Sequence, residues 1–166
     1  MNGFAAESLF LEIIKAIPKI KTFAIPDSQT LINIANTHKI GRKRLELAYP
    51  YLLQEWGEEI RHPKTGQLTL KLIWANIPAS VILDYIFGID CCITFLGYAV
   101  AIDISCNQKA IEEKVIKLCQ LRPLWQAIGM DNACVCHITN KNLNKDSVWS
   151  ALKTVSKQNQ VIPVTL

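Results

Sequence analysis

Hydrophobic and polar residues alternate most regularly between Gly88 and Ser105. Apolar or aromatic side chains occupy one set of alternate positions: Ile89, Cys91, Ile93, Phe95, Tyr98, Val100, Ile102 and Ile104. Small or polar side chains occupy the other set: Asp90, Cys92, Thr94, Ala99, Ala101, Asp103 and Ser105. A period of two that is kept through both arms predicts a β-hairpin with Leu96-Gly97 at its turn.

The predicted register brings two aspartates together. The alternative is a three-residue loop with a bulge, which shifts the register by one residue and separates the two aspartates. If Phe95 faces Tyr98, Asp90 lies directly opposite Asp103, and side chains opposite each other are roughly 5 Å apart. Because two like charges at that distance repel, a proton or a cation is needed between them. A divalent metal is one interpretation. The alternative is that each carboxylate accepts hydrogen bonds from backbone N–H groups at a strand end.

Helical and strand periods predict the elements around this hairpin. We expect helices over 5–17, 28–37, 42–49, 50–60 (restarting at Pro50), 78–87, 108–120, 123–128 and 146–156, and strands over 68–75 and 133–138. The segment 81–87 (VILDYIF) suits a strand equally well. This order predicts an α/β (α+β) fold with a central mixed sheet flanked by helices. We expect residues 1–41 to form an N-terminal helical extension and residues 42–166 to form the α/β core.

Composition limits the class of protein. Half of the 166 residues are hydrophobic and 19% are charged, so most of the chain is expected to fold. A net charge of +4 permits nucleic-acid binding without requiring it. The six cysteines are expected to be reduced thiols in the cytoplasm. A membrane span over 81–102 is disfavoured because Asp84 and Asp90 interrupt it.

The segment Gly88-Ile-Asp90, followed by Ala101-Ile-Asp103-Ile-Ser105, a helix and a strand, resembles the core of the PD-(D/E)xK nuclease superfamily. That superfamily has a restriction-endonuclease-like αβββαβ core, with one acid opening the second strand and a (D/E)-x-K motif in the third. The resemblance implies that Asp90 and Asp103 bind Mg²⁺ (or Mn²⁺). It also implies that the chain is a magnesium-dependent DNA endonuclease that hydrolyses phosphodiester bonds.

The chain departs from the superfamily motif at Ser105, where lysine is expected. In some members the lysine comes from the following helix, for which Lys109 is the first candidate and Lys114 the second. A glutamate on the preceding helix often assists, and the candidates are Glu55, Glu58 and Glu59. Because the lysine is missing, a second interpretation stays open. The chain would then be a catalytically inactive nuclease-like protein with a DNA-binding or regulatory role.

Basic residues cluster in two places that suit DNA. Residues 31–45 (LINIANTHKIGRKRL) resemble a helix-turn-helix with its turn at 38–41, although an ordinary pair of helices is the simpler alternative. The residues expected to contact DNA are Arg42, Lys43 and Arg44 in this segment and Arg61 and Lys64 in the loop over 61–66.

Two further patterns have other interpretations. Cys134-Val-Cys136-His137 invites a zinc site, but its spacing is unusual, and on a strand both thiols share one face as buried hydrophobes. The apolar side of the helix over 5–17 also allows a protein-interaction module, with a homodimer through that helix as its simplest form.

Overall fold

The computed structural model describes residues 3–139, 143–158 and 160–166. Its helices are α1 (Gly3–Lys15), α2 (Ser28–Thr37), α3 (Lys39–Trp56), α4 (Ala79–Ile82, continued by a π-helical turn over Leu83–Phe87), α5 (Ile111–Gln120), α6 (Arg122–Ala127) and α7 (Lys145–Val155). Its strands are β1 (Ile20–Thr22), β2 (Gly57–Arg61), β3 (Leu68–Leu72), β4 (Cys91–Phe95), β5 (Tyr98–Ser105), β6 (Asn132–His137) and β7 (Ile162–Thr165).

A five-stranded mixed sheet forms the centre of the molecule, in the order β1-β4-β5-β6-β7. The β1–β4 and β4–β5 pairs are antiparallel, whereas β5–β6 and β6–β7 are parallel. Helices α1 and α7 pack on one face of the sheet, and helices α2 to α6 pack on the other. The expectation of an α/β protein with a mixed sheet between helices is confirmed.

The hairpin of β4 and β5 has the predicted register. Phe95 pairs with Tyr98, and Leu96 and Gly97 form the turn with φ of 51° and 86°. Such positive values at both positions match the twist of the flanking strands. Within β4 and β5 the two predicted faces are also observed. Ile89 and Asp90 precede β4, so the paired register ends at Cys91 and Ile102, and Ile89 packs on the side of helices α2 to α6.

The predictions for residues 38–60 are wrong in detail. Only His38 separates α2 from α3, so the four-residue turn over 38–41 does not form. Helix α3 runs without a break through Pro50, because the buried face made by Leu45, Ala48 and Leu52 outweighs one missing N–H. The chain turns into strand β2 at Gly57, where the helix was expected to continue to 60.

The N-terminal residues belong to the central sheet. Phe10 and Ile14 of α1 are buried against it, and β1 pairs with β4 as its edge strand. The predicted division at residue 41 therefore does not coincide with a break in the packing. The apolar side of α1 is not exposed, because the sheet of the same chain covers it, and a homodimer stays a prediction.

The hairpin of β2 and β3 lies outside the main sheet. Among the described residues its two strands pair only with each other, and Leu72 is the one buried residue in them. Among the residues that the structure describes, no helix is long and apolar enough to cross a membrane.

Candidate active site

Asp103 lies near the end of β5 and is 2% exposed. The ammonium group of Lys114 donates to Asp103 Oδ1 and, at 2.7 Å, to the backbone oxygen of Ile104. Lys117 Nζ lies 2.6 Å from Asp103 Oδ2. The buried carboxylate is therefore neutralised by two lysines from α5, each with part of its side chain in solvent.

Helix α5 positions both lysines beside Asp103. Lys114 and Lys117 are three residues apart, so they share one side of the helix. Lys117 passes close to Gly88, where an added Cβ would lie 2.9 Å from Lys117 Cε. Gly88 also has φ of 66°, a left-handed conformation that side chains disfavour. Position 88 therefore favours glycine for two reasons. The chain has a positive φ where the π-helical turn ends, and the Lys117 side chain occupies the space that a Cβ would need.

Asp90 is attached to β5 beside Asp103. Its Oδ2 accepts from Ile104 N at 2.5 Å, and its own N–H donates to Ile102 O at 2.9 Å. Burial, with smaller contributions from the charges of Asp103 and Glu7, raises the pKa of Asp90 to about 7, while the Ile104 N–H opposes this shift. The backbone bond expected under the alternative to a metal is thus present for Asp90.

Three more charged side chains complete the group. Glu7 reaches it from α1, and partial burial followed by the charge of Asp84 raises its pKa. Asp84 lies at the rim with part of its side chain in solvent, and desolvation raises its pKa while Lys117 lowers it. Arg44 of α3 donates to the backbone oxygens of Tyr85 at 2.5 Å and Ile86 at 3.3 Å. We call Glu7, Asp84, Asp90, Asp103, Arg44, Lys114 and Lys117 the charged cluster.

The lysine that reaches the aspartates is not the first candidate. Lys109 lies in a short turn before α5, where its backbone N–H donates to the capping side chain of Asn107. Its exposed side chain lines a shallow groove with Glu112 and Pro163. Lys114, the second candidate, lies one helical turn into α5 and faces the sheet, whereas Lys109 precedes the helix.

The helix glutamate also differs from the expectation. Glu55 is exposed near the end of α3, Glu58 and Glu59 are exposed on β2, and Glu58 accepts from Asn76 Nδ2 at 2.6 Å. The glutamate whose charge acts on both aspartates is Glu7. It was missed because α1 was assigned to an extension. Its position three residues before Phe10, on the edge of the buried stripe, is the signal that could have found it.

The basic residues expected on DNA have different surroundings. Arg42 is exposed and donates to Asn36 O at 2.8 Å, and Lys43 is also exposed. Arg44 points instead into the charged cluster, because successive residues of a helix face different directions. In the β2–β3 hairpin, Arg61 and Lys64 lie in solvent, and Arg61 donates to Gly66 O at 3.1 Å.

The cysteines are free thiols in the described part of the chain. Cys134 and Cys136 share one buried face, with Sγ atoms 3.9 Å apart. Burial raises the pKa of Cys92 to about 12, which keeps this thiol protonated. Across residues 3–139, 143–158 and 160–166, no group of three or more His, Cys, Asp or Glu side chains is arranged to hold a metal ion.

No protein-family model, no curated protein and no solved structure matches this chain. What can be inferred about function therefore comes from the charged cluster and its setting.

Proposed function

We propose that this chain is a metal-dependent deoxyribonuclease of the PD-(D/E)xK type that hydrolyses phosphodiester bonds at the charged cluster. The ion pair between Asp103 and Lys114 carries the proposal. It joins an acid on a strand to a lysine from the next helix, which is where some members of the superfamily keep this residue. Asp90, at the start of the neighbouring strand, corresponds to the first acid of the motif, and Glu7 corresponds to the helix glutamate.

The order of elements supports the same proposal. When the segment between β1 and β4 is treated as an insertion, α1, β1, β4, β5, α5 and β6 follow the superfamily's αβββαβ order, with α6 as a short addition. The first three strands form antiparallel pairs, and β6 is parallel to β5. The insertion contains α2, α3, α4 and the β2–β3 hairpin.

The donor atoms near Asp103 suit Mg²⁺ or Mn²⁺. Mg²⁺ typically binds one or two carboxylates and completes its shell with water and substrate phosphate. Asp90, Asp103 and the Ile104 carbonyl offer such oxygen atoms. Lys114 uses Asp103 Oδ1 and the Ile104 oxygen, so a metal ion would compete with it for these atoms. A bound divalent ion would supply Lewis-acid stabilisation of a phosphate and a more acidic water.

The chain's own residues have separate roles in this proposal. Lys114 and Lys117 hold the Asp103 carboxylate in one orientation, since each contacts one of its oxygens. Because an ammonium group has three donors, Lys114 also has capacity to orient a water molecule or a phosphate oxygen. The guanidinium of Arg44 adds positive charge at the same end of the sheet and is held in place by two backbone oxygens.

A catalytically inactive DNA-binding protein is the second candidate function. It is favoured by Ser105 at the motif position and by the pairing of both Asp103 oxygens with lysines. In that case the charged cluster would serve as a structural element, and the exposed basic residues would carry the binding.

Cleavage and metal binding distinguish the two candidates. Supercoiled, linear and branched DNA are incubated with the protein in Mg²⁺, Mn²⁺ or EDTA, and Mn²⁺ binding is measured separately by calorimetry. We expect metal-dependent cleavage and Mn²⁺ binding, both lost in D103N and D90N. Salt-sensitive DNA binding without cleavage would select the inactive protein. Absence of any DNA interaction would reject both.

Lysine variants test the assignment of the motif residue. We expect K114A to lower the cleavage rate by about 10²- to 10⁴-fold, the range for a positioned proton-transfer group. K109A is the matched control, because it removes an exposed lysine five residues earlier, and it should stay within about twofold of wild type. Adding S105K to K114A should raise the cleavage rate at least about tenfold above that of K114A, since it places a lysine at the motif position. A loss in K109A but not in K114A would contradict the assignment.

A further inference from the structure

A groove between α3 and α5 leads away from the charged cluster. One part has a volume of about 550 Å³ and the other about 480 Å³, and both are lined by Arg44 and Lys117. The two parts therefore adjoin at Arg44 and Lys117, and Lys117 in turn contacts the buried Asp103. Each is open to solvent and lies within the size range of ligand sites.

One wall of the larger part is a continuous stripe of α3. Arg44, Leu47, Ala48 and Tyr51 line it at spacings of three, four and seven residues, which share one side of a helix. Seven residues correspond to about 10 Å along the helix axis. Tyr51 is 65% exposed and Leu47 is 58% exposed. The groove thus has a charged end at Arg44 and an aromatic, apolar end at Tyr51.

This division of chemistry matches a nucleotide, which has an anionic phosphate at one end and a flat aromatic base at the other. The cations at the charged end are Arg44, Lys114 and Lys117, and the acids Asp84 and Glu113 also line the groove. An exposed tyrosine ring provides a stacking surface that accepts every base. Because acids partly cancel the cations that line the groove, stacking on Tyr51 adds the attraction for a nucleotide that charge alone does not supply.

We propose that this groove binds an unpaired nucleotide of a DNA strand, with its phosphate toward Lys117 and its base against Tyr51. The inference deepens the proposed function and rests on it, because it names the substrate class of the same site. A base inside a duplex has no free face to stack on a side chain, so the site favours single strands, frayed ends or flaps over continuous duplex.

Binding measured without cleavage tests the inference. Fluorescent single-stranded oligothymidine and a blunt duplex of equal length are titrated with protein in EDTA, and anisotropy gives each affinity. We expect wild type to prefer the single strand. Y51A should weaken single-strand binding by about 5- to 100-fold, the range for losing one stacked base. Y51F should stay within about twofold, and neither variant should change duplex binding.

Y98A is the matched control, because Tyr98 is also an exposed tyrosine (45%) but lies at the turn end of β5. It should bind the single strand as wild type does, and equal unfolding midpoints for all variants would exclude misfolding. No preference of wild type for the single strand, or equal effects of Y51A and Y98A, would overturn the inference. Tyr51-dependent binding without Mg²⁺-dependent cleavage would reject only the nuclease proposal.

Discussion

The charged cluster and the β2–β3 hairpin are both rich in ionisable residues, but they hold them in opposite ways. In the cluster, Asp103 is 2% exposed and each of its oxygens contacts a lysine. In the hairpin, Glu59, Arg61 and Lys64 lie in solvent beside exposed leucines. Buried charge is costly unless it is compensated, whereas exposed charge is screened and contributes little to stability. Removing a charge from the cluster should therefore destabilise the fold, whereas removing one from the hairpin should have little effect.

The largest expected effect comes from removing the central carboxylate. D103A leaves Lys114 and Lys117 facing each other without their shared anion. Losing one partner of a buried pair costs about 3–5 kcal/mol, and because both lysines reach solvent we expect about 2–3 kcal/mol. Urea denaturation measures this loss, and D146N, on exposed Asp146 of α7, is the control. A loss below about 0.5 kcal/mol would show that Asp103 contributes as little to the free energy of unfolding as the exposed charges of the hairpin.

The pH dependence of stability should reveal Asp90. Its folded pKa of about 7 lies above the unfolded value near 3.9, so between them the folded state holds a proton that the unfolded chain has lost. The stability that protonated Asp90 contributes is fully present below about pH 4 and is lost as the pH rises through 7. D90N abolishes this dependence.

We expect D90N to be more stable than wild type at pH 8 by about 1–2 kcal/mol, and close to it at pH 4. This difference in stability is smaller than the free energy equivalent of the full pKa shift, because the Asp90 side chain is only partly buried. Thermal or urea unfolding across this pH range measures the difference, with E112Q on the exposed face of α5 as the control. Equal pH profiles of D90N and wild type would show that Asp90 is solvated like a hairpin residue.

The smallest effect on stability is expected in the hairpin. The double variant R61A/K64A should change the free energy of unfolding by less than about 0.5 kcal/mol. If both side chains contact DNA phosphates, its salt dependence of binding should fall by about two in the slope of log K against log salt. Anisotropy titrations at several salt concentrations measure this slope, and K153A, on α7 across the sheet, is the control. An unchanged slope would remove these residues from the DNA-binding surface.

Several elements were predictable because their signals are local. The helix over Ser28–Thr37 begins after Asp27, whose side chain accepts from Thr30 N at 2.7 Å as a capping residue should. The hairpin register followed from alternation alone, even though Leu96 takes a positive φ that few leucines adopt.

Other elements depend on neighbours distant in sequence. The three-residue strand β1 and the proline-containing strand β7 exist because β4 and β6 offer edges to pair with. Neither has a pattern long enough to predict by itself. The sequence predicts a helix start at Pro50, but packing along α3 keeps one continuous helix.

The sequence by itself determined that Asp90 and Asp103 lie together once the turn at Leu96-Gly97 has two residues, because the alternation then sets the register. Only the tertiary structure decided which side chains meet them. Glu7 lies 83 positions before Asp90, and Lys114 rather than Lys109 faces Asp103 because of where α5 begins on the sheet. Register is a local property of a hairpin, whereas compensation of a buried charge depends on every element packed around it.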